Sequence, residues 1–140
     1  MDRATIPYIH YFVTFCCRFL VYSNDSEGNP FQEALVPLAT SSPALLHSMA
    51  AVAAGHLARN QSQHQLIAQH HYATALRELN AALSDPFVAR LDSTLGACLM
   101  LCVFEVGGFR RYNNGLFAHP FRFRIPRTRF GLNISKELET

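Results

Sequence analysis

Charge is what this sequence has least of. Only 16% of its 140 residues are Asp, Glu, Lys or Arg, while 49% are hydrophobic, against ~25% charged in an ordinary soluble domain. A chain so short of charge is expected to expose apolar area, as an incomplete domain or one face of an interface does. Cysteine is also sparse: Cys16, Cys17, Cys98 and Cys102 are all there are. Their spacing gives no disulfide framework and no secretory signal precedes them, so they read as free core thiols of a reducing compartment. Adjacent Cys16 and Cys17 diverge on a helix, and Cys98 and Cys102 share a face with no nearby His or Cys to complete a tetrahedral site, so no metal is expected. Long hydrophobic runs are absent as well. The stretch 6–22 contains His10 and Arg18 and falls short of the ~20 apolar residues a membrane helix needs. No glycine-rich phosphate loop, nucleophile elbow or pair of carboxylates on one face occurs, which leaves catalysis without a chemical starting point. The chain is expected not to be an enzyme and to hold no cofactor.

The charge that is present is unevenly placed. Residues 1–106 hold five arginines against eight acids, a net −3, whereas residues 107–140 hold six arginines and Lys136 against two glutamates, a net +5. The two stretches differ in pattern too. Up to Val106 apolar residues recur with helical period; beyond it Gly107-Gly108, Pro120 and Pro126 punctuate a run with no sustained period. A division follows into a helical part, 1–106, and a basic irregular tail, 107–140. Within the tail, Phe121 to Ile125 alternates apolar with basic residues, which suits an isolated strand, itself marginal without a partner. Its interleaved arginines and phenylalanines could stack single-stranded nucleic acid, but a solvated terminus is the simpler reading.

The helical part reads as an all-α arrangement of antiparallel hairpins. A first helix is expected from about Pro7 to Tyr22, with Phe12, Phe15, Cys16, Phe19 and Leu20 on its apolar stripe. The turn formers from Ser23 to Pro30 stop it. Phe31 to Leu38 suits a short helix or turn limited by Pro37. Ser41 or Ser42 caps the next helix, with Pro43 in its first turn; Leu45, Leu46, Met49, Val52, Ala53, His56 and Leu57 make its broad stripe, and the alanines at 50, 51, 53 and 54 predict the most deeply packed helix. After the polar break Gln61-Ser62-Gln63 a long helix runs to about Ser84 on Ala68, Tyr72, Leu76, Leu79 and Leu83, and Asp85-Pro86 ends it. A last helix opens with Asp92 or Ser93 as cap and buries Leu95, Leu99, Cys102 and Val103.

Seven histidines raise a metal or catalytic alternative, chiefly through His56, His64, His70 and His71. Neighbouring His70 and His71 diverge by roughly 100° on a helix and have no carboxylate at i±3 or i±4 to orient a ring. Hydrogen-bonded or solvent-facing histidines are the simpler reading, with His56 bonded to a neighbouring helix.

Several short motifs recur in one order: Tyr11-Phe12, Asn29-Pro30-Phe31, Val36-Pro37-Leu38-Ala39, Ser42-Pro43-Ala44-Leu45-Leu46-His47, Ala50 through His56-Leu57, Tyr72 with Leu76, Leu79 and Leu83, and Leu99 through Phe104-Glu105. In this order they resemble the fungal-specific transcription factor domain, the regulatory region of zinc binuclear cluster transcription factors, over roughly residues 8–106. The resemblance implies a helical regulatory module in the nucleus, taking part in regulation of transcription through protein contacts. It marks Asn29, Pro30, Phe31, Pro37, Leu38, Pro43, Leu46, His47, His56, Leu57, Tyr72, Leu76, Leu79 and Glu105 as structural motif residues. The family's DNA-reading cluster needs six closely spaced cysteines, and this chain has four scattered ones, so no sequence-specific DNA binding by the chain itself is expected. The family's region is also several times longer, so this piece is expected to be its N-terminal portion, poorly behaved alone, with the tail a product of a truncated or misread gene. Its expected partners are the rest of its own domain, another protein or a second copy; no membrane is among them. A helical adaptor unrelated to transcription and a small metal- or redox-active helical enzyme are the alternatives.

Overall fold

The computed structural model describes residues 2–20 and 28–106; the expectations for 107–140, and for the loop from Ser23 to Glu27, lie outside the described residues. Among the described residues there is no strand, and the fold is all-α. Helix α1 (Ile6–Tyr11) continues through a widened π turn, Phe12–Cys16, into α2 (Cys17–Leu20). Thr14 explains the widening: its hydroxyl donates to the His10 carbonyl at 2.8 Å, and a side-chain donor that claims a ladder carbonyl displaces the backbone bond there. Gly28 adopts φ +86°, a conformation that favours glycine. Asn29 follows and ties this region back to the first helix, its Nδ2 donating to the Cys17 carbonyl at 2.6 Å while its Oδ1 accepts from the Gln32 N–H at 3.3 Å.

A second π turn, Phe31–Leu35, leads into α3 (Val36–Ala39), where Pro37 sits in the first turn. Proline cannot donate to the carbonyl four residues back, and the widened turn ahead of it absorbs that mismatch. Helix α4 (Pro43–Leu57) starts as its sequence suggests: Ser42 is extended, its hydroxyl accepts from the Leu45 N–H at 3.3 Å, and Pro43 occupies the first turn. Ten of the fifteen residues of α4 are buried, so it is enclosed nearly all round rather than along one stripe. Alanines at 50, 51, 53 and 54 have no exposed surface, and their small side chains let α1, α5 and α6 all pack against this one helix.

A 3₁₀ turn, Ser62–His64, opens α5 (Gln65–Ser84), which lies along α4 and buries Ala68, His71, Tyr72, Ala75 and Leu79. Asp85 is extended, and its Oδ1 accepts from the Phe87 N–H at 2.9 Å, which closes the Asp-Pro turn. Leu83, expected on the core stripe, is half exposed, as is Phe15 on the first helix. Leu83 lies in the last turn of α5, and Phe15 turns outward to stack on Tyr11 while Phe12 and Cys16 on either side of it are buried.

Helix α6 (Asp92–Val106) differs most from expectation. Asp92 is already its first helical residue rather than a cap, because the extended Leu91 supplies the carbonyl that accepts from the Thr94 and Leu95 N–H groups. Its buried face is Ser93, Thr94, Gly96, Ala97, Met100, Leu101 and Phe104. Leu95, Leu99 and Cys102, expected inside, are exposed, and Val103 is half-buried. The reason is that α6 is apolar on every side, so period alone cannot choose its inner face. Close approach decides it: a Cβ at Gly96 would lie 2.8 Å from Leu35 Cδ2 and 3.3 Å from Leu45 Cδ1. The helix seats its two smallest residues, Gly96 and Ala97, against α4 and leaves the leucines outside.

Candidate functional site

Two features stand out on this frame: a seam of tyrosine and histidine side chains joining α1 to α4 and α5, and the apolar outer face of α6. The seam begins with Tyr8, whose hydroxyl lies 2.9 Å from His64 Nδ1. His64 Nε2 in turn lies 2.8 Å from Gln61 Oε1. A carbonyl oxygen only accepts, so Nε2 carries a proton, and in a neutral ring Nδ1 then accepts from the Tyr8 hydroxyl. Tyr8 also meets His71 edge-on, with ring centroids 5.9 Å apart. His71 stacks on His47 of α4 with their Nδ1 atoms 3.0 Å apart, so one ring must hold a proton on Nδ1 while the other offers a lone pair there. Further along, Tyr11 bonds His56 Nδ1 at 2.7 Å and stacks on Phe15. The expected bond from His56 to a neighbouring helix is therefore present, with Tyr11 as partner.

Burial sets the charge state of this seam. It pulls the His71 imidazole down to about 4, helped by nearby His47 and His70 and opposed by Asp2. His47 is lowered by burial, against the pull of Glu78 and with a further push from His70 and Arg77; His56 is lowered by burial and then by Arg59. Burial also raises the Tyr8 and Tyr11 phenols, Tyr11 with a further contribution from Cys16. These five groups are thus neutral at neutral pH and work as uncharged donors and acceptors fixing α1 on α4 and α5. The seam does not gather ligands: among the described residues no three His, Cys, Asp or Glu side chains converge as a metal site would require.

The thiols divide in two. Cys16 and Cys17 are both buried despite pointing apart, and burial raises them to about 12 and about 11, with Cys17 adding to the rise at Cys16. They are inert core thiols. Cys98 is half-buried and raised, chiefly by burial, whereas Cys102 is exposed, against the expectation of a core thiol.

The motif residues scatter through the core and over helix starts rather than converging on one pocket. Tyr72 is buried, stacks on Phe104 at 4.7 Å between centroids and donates to the Glu105 carboxylate, which joins α5 to the end of α6. Leu79 is buried beside them in sequence order, and Leu38, Leu46, Leu57 and Leu76 are half-buried. Pro30, Pro37 and Pro43 lie at or near the surface, each in or beside a first helical turn, and Asn29 ties the loop end to α2. Phe31 opens the second π turn. What sequence reasoning missed is the set of tyrosine partners: Tyr8 and Tyr11 lie 45 to 63 positions from the histidines they touch, beyond any local spacing rule.

Comparison with known proteins bears on the whole of this helical assembly. The profile of the fungal specific transcription factor domain matches residues 7–108, from the first turn of α1 past the end of α6. The chain belongs to that family. No curated protein and no solved structure matches it. Membership in the fungal specific transcription factor domain family carries a role in regulating transcription, and the matched span reaches every helix described above. Among the described residues no helix is long and apolar enough to cross a membrane.

Proposed function

We propose that residues 7–108 act as a regulatory, protein-interacting module of a fungal zinc-cluster transcription factor in the nucleus. In this reading DNA is recognised by a separate zinc-cluster module, and this module contributes no catalysis. The observation that supports it best is the family match across α1 to α6. The chemistry of the interior agrees with it. Buried polar side chains among the described residues all have partners, and His47, His56 and His71 are held neutral and spent on helix-to-helix bonds. Nothing there is arranged as nucleophile and base, whereas apolar side chains stand outside, where another protein can meet them.

The test is to fuse the 140-residue chain to an unrelated DNA-binding domain and read a reporter carrying that domain's site in a fungal cell. A severalfold change in output relative to the DNA-binding domain alone is expected, in either direction. Unchanged output at matched protein level would overturn the regulatory reading. In parallel, the chain alone should retain random and genomic DNA duplexes equally; sequence-selective retention would remove the need for a separate DNA reader.

A further inference from the structure

We infer that His47 and His71 form an acid-operated latch: it holds α1 on the α4–α5 pair while the two rings share at most one added proton, and releases it when both are charged. Their Nδ1 atoms face each other at 3.0 Å across stacked rings. Such a contact is a hydrogen bond only while one Nδ1 carries a proton and the other offers a lone pair. The neutral pair meets that condition. So does the pair with one added proton, which sits on the Nε2 of the donating ring. A second added proton has only the accepting Nδ1 to occupy, because the Nε2 of that ring already holds one. Two N–H groups and two positive charges then confront each other at hydrogen-bond distance, and the contact must open.

The surroundings decide what gives way. His71 is buried, and besides His47 it meets the ring edge of Tyr8 from α1. Of the charged groups around the pair, Asp2 just ahead of α1 favours a proton on His71, and Glu78 of α5 favours one on His47. Against them stand His70, which opposes a proton on either ring, and Arg77, which opposes one on His47. Tyr8 adds no countercharge, since burial raises its phenol. Burial weighs most against both charges, so a doubly charged pair gains by reaching water. The element that can lift most easily is α1. It buries only Tyr8 and the π turn after it only Phe12 and Cys16, whereas α5 buries five residues and α4 ten. Lifting Tyr8 admits water to His71 and leaves the α4–α5 hairpin standing. It also uncovers Cys16 and Cys17, which are 3% and 1% exposed while α1 is docked. The latch follows from packing and is independent of the regulatory reading.

Thiol labelling of the full 140-residue chain with dithiodipyridine, which reacts in acid as well as at neutral pH, reads the latch, with peptide mass spectrometry assigning the label. At pH 7 exposed Cys102 is expected to react promptly while Cys16 and Cys17 stay protected. As pH falls towards 4.5, labelling of Cys16 and Cys17 relative to Cys102 is expected to rise at least about tenfold while most of the helical circular dichroism remains. An unchanged ratio overturns the latch, and so does helical signal lost in step with labelling, which would mean that acid unfolds the whole chain. His47→Gln supplies an amide that donates to the His71 Nδ1 and takes no charge, so Cys16 and Cys17 are expected to stay protected in acid. Release that persists in this variant overturns the assignment to the pair. His64→Gln, which alters the other ring beside Tyr8, is expected to keep acid release; its loss there would place the latch at His64 instead. Ring-nitrogen NMR of the unaltered chain needs no variant: at pH 7 one of His47 and His71 is expected to carry its proton on Nδ1 and the other on Nε2. Protons on Nε2 in both rings would leave no bond between the Nδ1 atoms and overturn the latch.

Discussion

His71 shows how a single residue couples this fold to pH. Its folded-state imidazole titrates at about 4 while an unperturbed one titrates near 6.5. Between those values the unfolded chain takes up a proton that the folded chain refuses, so stability is full above about pH 6.5 and falls as pH drops towards 4. His47 and His56, both lowered, push the same way. By pH 5 the expected loss from His71 is about 1 to 2 kcal/mol, because each tenfold difference in proton affinity between the two states is worth ~1.4 kcal/mol. Urea unfolding at pH 7 and pH 5 measures it, and His71→Gln, which does not titrate, is expected to flatten the slope. Equal midpoints at the two pH values in the unaltered chain would show that the histidine seam is open to water. Read from composition and spacing, these histidines have a bland role as satisfied polar groups, and the geometry agrees. Which groups satisfy them was not legible, since Tyr8 and His71 are brought together only by the packing of α1 over α4 and α5.

At the scale of elements, helix starts and stops were written locally and could be read locally. Ser42 with Pro43, and Asp85 with Pro86, mark helix ends through bonds made within a few residues, so spacing rules see them. The central place of α4 was legible for a related reason: a run of alanines admits several neighbours at once. The orientation of α6 was not legible, because leucine, methionine, cysteine and phenylalanine surround it and the inner face is chosen by where Gly96 permits contact. That choice predicts a graded response at position 96. Gly96→Ala gains roughly 1 kcal/mol in helix propensity but brings its Cβ against Leu35 Cδ2, the free end of a flexible side chain, and near Leu45, which is fully buried. The two effects are expected to cancel to within about 1 kcal/mol. Gly96→Val meets the fully buried Leu45 with added bulk and is expected to cost about 2 to 3 kcal/mol. Thermal unfolding of both variants checks the order, and a valine variant as stable as the original would mean that α6 does not approach α4 through Gly96.

For the whole molecule, low charge and apolar excess are accounted for unequally by its surfaces. The core around α4 takes much of the apolar content, and the outer face of α6 keeps leucines and a valine in water. Leu95→Glu is expected to leave the urea midpoint within about 0.5 kcal/mol of the original, because Leu95 is 70% exposed and contributes little to the packing of its own chain. A midpoint that falls sharply in that variant would place Leu95 inside the packing and return α6 to the orientation its sequence period suggests.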